Sequence, residues 1–112
     1  MKIRKIVSYL SGQISGNMEN YKLEFREAQE IAERKGRTVL NPAMLPIGLK
    51  EQDYMRISLA LLEAADEIIL LPGWERSDGA KIEAAYAERI GKRSRTLEQV
   101  EEEPARFIGG RR

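Results

Sequence analysis

The chain has no cysteine and no histidine, a single tryptophan, and no surplus of charge of either sign, with 19 Lys plus Arg against 18 Asp plus Glu. Each shortage excludes a class of function. Without cysteine or histidine there is no zinc finger, no thiol nucleophile and no Ser-His-Asp triad. A net charge of +1 provides no field of one sign, so bulk electrostatics do not argue for a nucleic-acid or anionic-membrane partner. No apolar run approaches the ~20 residues a membrane-spanning helix needs, and the opening MKIRKIVSYL lacks a signal-peptide core with a cleavage site. A cytoplasmic domain is the expectation. Its chemistry has to come from carboxylates, hydroxyls, amides and backbone dipoles, with no metal or organic cofactor implied.

What is present suffices for one folded unit. The 112 residues are 42% hydrophobic, and a domain of this size buries roughly 60–70% of the surface its unfolded chain would expose. Ile3 to Leu10 reads as a strand, being mostly branched or aromatic and followed by the turn-forming SGQISGN. From about Glu19 to Lys35, Tyr21, Phe25, Ala28 and Ile31 with Ala32 recur at spacings of three and four, the stripe of an amphipathic helix. Gly36 is a natural stop for it. Arg37 to Leu40 is a short second strand, and NPAMLPIGL is a loop. A second helix runs from about Lys50 to Ala65, and Glu67 to Leu71 is a buried-type strand ended by Pro72-Gly73. A third helix covers about Ala80 to Ile90, and Lys92 to Leu97 adds a fourth, edge strand. Such a βαβαβα order implies right-handed crossovers and a small parallel sheet with helices on both faces, a three-layer α/β sandwich. Residues 1–97 form the expected domain and 98–112 a charged, partly ordered tail, in which Phe107 is a candidate for docking on the body or on a neighbouring subunit.

In an open parallel sheet, ligands bind beyond the carboxyl ends of the strands. Three segments meet there: Tyr9–Gly16, Asn41–Gly48 and Pro72–Gly79. The first sets Ser11, Gly12, Ser15 and Gly16 at a strand-to-helix turn, where exposed amides and hydroxyls suit phosphate or sugar oxygens; the same residues also make an ordinary capped turn. It is not a P-loop, since the lysine after the second glycine is missing. Ser77-Asp78-Gly79-Ala80 opens the third helix, and Glu83 falls in its first turns, where the helix dipole favours an ionised carboxylate. Such a group can attack an anomeric carbon, or it can simply be a first-turn acid. Asn41 can hydrogen-bond a ligand or end a strand, and Trp74 can stack on a base, act as a lid, or pack against a second subunit. Asp66 is read as fixing the turn into the third strand, and Arg89, Lys92, Arg93 and Arg95 as a surface paired with the acids after Glu98.

Taken together, Tyr9–Gly16, Asn41-Pro42-Ala43, Asp53-Tyr54-Met55 leading into Leu61–Asp66, and Leu70–Ala80 with Glu83 resemble the nucleoside 2-deoxyribosyltransferase-like proteins, in particular a branch of small, often phage-encoded members. The resemblance covers about Lys2 to Gly91. It implies a flavodoxin-like (Rossmann-like) fold and cleavage or exchange of the N-glycosidic bond of a nucleoside or nucleotide, without a cofactor. It further implies that Glu83, in Gly79-x-x-x-Glu83, is the nucleophile, that Tyr9 borders the sugar, and that Ser77 and Gly79 help hold a phosphate. A homo-oligomer that completes its pockets across a subunit interface is implied as well, with Met44, Leu45, Met55 and Trp74 as candidate anchors. One position departs from the pattern. Where catalytic relatives carry an aspartate on the second helix, this chain has Ser58, and a serine cannot protonate a departing base. Glu75 and Asp78 are candidates to replace that acid. The alternative is a nucleotide-binding or protein-interaction module that keeps the fold and has lost turnover.

Overall fold

The computed structural model describes residues 4–104. Branched and aromatic residues make Ile6–Ser11 (β1) a strand, and it pairs in parallel with Arg37–Leu40 (β2) on one side and Glu67–Leu70 (β3) on the other. Arg93–Thr96 (β4) closes the far edge against β3, giving the order β2-β1-β3-β4. This is a flavodoxin-like sheet, and the order reverses between β1 and β3. Tyr21–Arg34 (α1), Glu51–Ala64 (α2) and Asp78–Arg89 (α3) are the crossovers, in close agreement with the apolar periodicity.

Alternation along the strands sends side chains to two cores. Leu10 of β1 and Ile69 of β3 pack with Tyr21, Phe25, Ala28 and Ala32 of α1. On the opposite face Tyr9, Ile68 and Leu70 pack with Leu62 and Ala65 at the end of α2 and Ala87 of α3. The chain must pass very close to the first core as it leaves β1. A side-chain carbon added at Gly12 would come within 3.0 Å of Leu71 Cβ and 3.3 Å of Phe25 Cζ. Any larger residue would force Leu71 and Phe25 to give by a few tenths of an ångström, so packing favours glycine there.

The segment expected as a partly ordered tail begins with ordered structure among the described residues. Leu97–Glu101 (α4) is a helix opened by a capping box, in which Thr96 Oγ1 accepts from the Gln99 amide and Gln99 Oε1 accepts from the Thr96 amide. Val100 is fully buried in the α1-side core. Glu103 then reaches the amino-terminal edge of the sheet, where it pairs with Arg37 and Arg95. The structured body therefore extends past residue 97, and Phe107 lies outside the described residues. Asp66 fixes the entry to β3 by accepting from the Val7 amide at 2.8 Å and pairing with Arg4.

Candidate active site

Tyr9 and Ser11 are two apart on β1 and point to the same face, toward α2 and α3. Glu83 lies in the second turn of α3 and points back at them. The Tyr9 hydroxyl donates to Glu83 Oε2 at 2.9 Å, and the Ser11 hydroxyl donates to Oε1 at 2.6 Å. All three side chains are buried. The helix's own cap is separate: Ser77 Oγ accepts from the Ala80 amide at 3.1 Å. Glu83 is thus held by the strand rather than by the amides of its own helix.

Burial raises the Glu83 carboxyl above the ordinary glutamate range, while the Ser11 and Tyr9 hydroxyls pull it back by bonding the charged form. The dipole expectation is accordingly reversed. A dipole acts within the first turn, and here desolvation dominates. Burial also pushes the Tyr9 hydroxyl far above its usual value, with the Glu83 charge adding to the effect and Ser58 opposing it. Tyr9 keeps its proton and remains a donor.

A cavity of about 450 Å³ opens beside this carboxylate at the carboxyl edge of the sheet, next to the reversal between β1 and β3. That size suits a small organic ligand. The structure brings Tyr9, Ser11, Gly12, Ser15, Ser58, Ser77, Gly79 and Glu83 to its wall. Three other candidates lie elsewhere. Gly16 is in the following turn at a φ of +83°. Asn41 caps the 3₁₀ turn over Pro42–Met44, accepting from the Ala43 amide at 2.9 Å and donating to Gln29 at 3.0 Å. Trp74 packs on the core between β3 and α3.

Neither Glu75 nor Asp78 lines the cavity, and Asp78 is exposed beside Lys81. The sequence reading placed Asn41–Gly48 at this edge but gave no ligand role to Tyr54, which with Met55 and the Leu45–Leu49 loop makes another part of the wall. Tyr54 ties that loop down by donating to the Pro46 carbonyl and accepting from the Leu49 amide. Its spacing from Ser58, one helical turn on the same face of α2, is the signal that could have found it. Among the described residues no cluster of acids is arranged to hold a metal ion, and no helix is long and apolar enough to cross a membrane.

The fold and site define an α/β protein with a buried carboxylate on the wall of a cavity at its topological switch point. Residues 6–94 match the model of the family described as domain of unknown function DUF4406, and the chain belongs to that family. No curated protein matches it. Among solved structures it is similar to the "2-desoxiribosyltransferase from Leishmania mexicana", with a TM-score of 0.65 and 22% sequence identity. The match covers 81% of this chain and 63% of that one, so this chain spans less than two thirds of that protein's length. The likeness is one of fold.

Proposed function

We propose that the protein binds a nucleoside or nucleotide and cleaves or exchanges its N-glycosidic bond through Glu83. The observation that supports this most directly is the placement of Glu83: buried, on the cavity wall, with each oxygen accepting a hydroxyl hydrogen bond from β1. A carboxylate has about four lone-pair sites, so two donors leave it able to bond to C1′. Tyr9 and Ser11 fix its orientation, and attack displaces the base to give a glycosyl ester that water or a second base resolves. Ser15, Ser77 and Gly79 line the same cavity and supply polar contacts for the sugar or a 5′ substituent. The test is mass-spectrometric detection of free base from a panel of nucleosides and nucleotides, with Glu83→Ala as the control. Base release that survives in that control overturns the proposal.

A binding-only reading draws support from one feature. Ser58 is buried on the cavity wall near Tyr9, at the place where an acid would be useful. General acid catalysis is worth ~10²–10⁴-fold, so the wild type is expected to be slow on ordinary neutral nucleosides. In Ser58→Asp the new carboxyl would sit in the same buried site as Glu83, and two acids sharing a site keep one proton between them. Base release from neutral nucleosides should then rise about 100-fold or more. Unchanged ligand affinity with no gain in release favours the binding module.

Self-association belongs to the same proposal. Met18 and Ile47, 58% and 69% exposed, line the cavity with Leu49, and Met44, 78% exposed, stands in the chain between the lining residues Ala43 and Leu45. An apolar rim of this kind marks a surface that is covered in use, and a second copy would close the pocket from above. Of the other anchors, Leu45 and Met55 line the cavity and Trp74 is half-buried. Sedimentation at micromolar concentration should give a dimer or larger species, and Met44→Glu should shift it toward monomer. A clean wild-type monomer overturns the idea.

A further inference from the structure

The cavity wall offers hydroxyls, aromatic faces and carboxylates. Among the described residues that line it there is no lysine or arginine, and the chain has no histidine. Its only carboxylates are Glu83 and Glu51. Glu51 is exposed at the start of α2, seven residues before Ser58, which puts it about 10 Å away along the helix axis. The hydroxyls nearest Glu83 are already used, since Tyr9 and Ser11 both donate to it. The rest of the lining is Ser15, Ser58 and Ser77 together with apolar and aromatic groups, Tyr21, Phe25 and Tyr54 among them.

Such a site is poorly suited to expelling a neutral base. Breaking the C1′–N bond of an uncharged purine or pyrimidine nucleoside leaves negative charge on the ring nitrogen, and among the described residues no cation lines the cavity and Glu51, the one other carboxyl, is far along α2 from Ser58. It is well suited to the opposite case. A cationic ring is attracted by the Glu83 carboxylate and by aromatic faces, and it needs no proton to leave.

Building on the reading of Glu83 as nucleophile, we propose that the substrate is a cationic N-glycoside, a nucleoside whose base is a pyridinium or an N7-alkylated purinium ring. Glu83 forms a C1′–O bond, the C1′–N bond breaks, and its electron pair returns to the ring nitrogen, which leaves as part of a neutral heterocycle. Water then adds its oxygen to C1′, the carboxylate departs, and one proton is released to solvent. Overall, a cationic glycoside and water give a neutral base, a free sugar and one proton.

The test compares matched pairs on the purified full chain: 7-methylguanosine with guanosine, and nicotinamide riboside with its uncharged dihydro form, each also as the 2′-deoxy sugar. Base release is followed by chromatography and proton release by pH-stat, each rate divided by the uncatalysed rate of the same compound. The expected result is release from the cations, one proton per bond cleaved, and neutral partners slower by ~10²-fold or more, the scale of a missing general acid. In Ser58→Asp the ratio of cation to neutral rates should fall at least tenfold, through gain on the neutral member. Neutral partners cleaved within tenfold of the cations would overturn the substrate assignment while leaving Glu83 as nucleophile. Release from none of the compounds would overturn the glycosidase reading itself.

Discussion

Glu83→Gln is expected to abolish base release and to raise the melting temperature at neutral pH. Glutamine keeps the shape and one acceptor for the hydroxyls of Tyr9 and Ser11, but its amide cannot form a glycosyl ester. Loss of a covalent nucleophile removes the route, and a fall of at least ~10⁴-fold is in proportion to other such deletions. The stability effect follows from the direction of the carboxyl shift. Burial places the folded-state value above the unfolded one. The favourable contribution of this group is therefore fully present below the unfolded value of about 4.5 and is lost as pH rises through the folded value. At neutral pH the wild type holds a buried charge that the variant lacks.

The melting-temperature advantage of Glu83→Gln should accordingly be largest near pH 7 and close as pH approaches 4. An uncatalysed helix-terminus role predicts the reverse, a loss of about 0.3–1 kcal/mol at neutral pH. Scanning calorimetry of both proteins across that range distinguishes the two. Activity in the wild type should rise with pH about a midpoint above the ordinary glutamate range, because only the ionised carboxylate attacks. Full activity in the glutamine variant would make Glu83 a structural residue.

Much of this arrangement is legible in the sequence. Strand and helix positions follow from periodicity and from Gly36, Asn41-Pro42 and Pro72-Gly73, because a parallel sheet with short connections leaves few ways to lay out apolar segments. The serine-glycine turn, the Ser77 cap and Glu83 are local features with local signatures. Harder to read are features that depend on where two distant segments meet. Trp74 lies beside the site in sequence and on the core in space. Asn41 spends its side chain on its own turn and on Gln29. The capping box of α4 is written plainly as Thr96-x-x-Gln99, but a dense run of charge after it masks the single Val100 that anchors the helix. Least legible is the ionic cluster at the other edge of the sheet, since Arg37 and Glu67 each open a strand and look like ordinary solvated ends.

Arg37→Met should cost about 3–5 kcal/mol, the price of leaving a buried charge without its partner. Arg37 and Glu67 are 2% and 1% exposed, and Arg37 Nε donates to Glu67 Oε2 at 2.9 Å. Ser8 donates to the same oxygen at 2.6 Å, while Glu67 Oε1 has no partner among the described residues. Among the described residues Arg37 is the countercharge on which Glu67 depends. The same guanidinium holds Glu103 through Nη1 and Nη2, at 2.5 and 3.1 Å, and so ties the segment after α4 to the sheet. Its hydrogen bond is the main cause that keeps the Glu103 carboxyl below the ordinary range, so this pair contributes above about pH 4.5 and is lost as pH falls through the lowered folded value. Small domains have only about 5–15 kcal/mol in total, so the single variant should show a large drop in urea midpoint. Replacing both members of the buried pair is a different matter. Arg37→Met with Glu67→Leu removes both charges together, and apolar replacements of a buried pair are often neutral or stabilising. Glu103, 22% exposed and still bonded by Arg95 at 2.7 Å, can remain ionised. The double variant should therefore recover most of the loss. If it is as unstable as Arg37→Met alone, the guanidinium acts chiefly through Glu103 and α4, and the cluster is a clamp on the C-terminal helix before it is a buried ion pair.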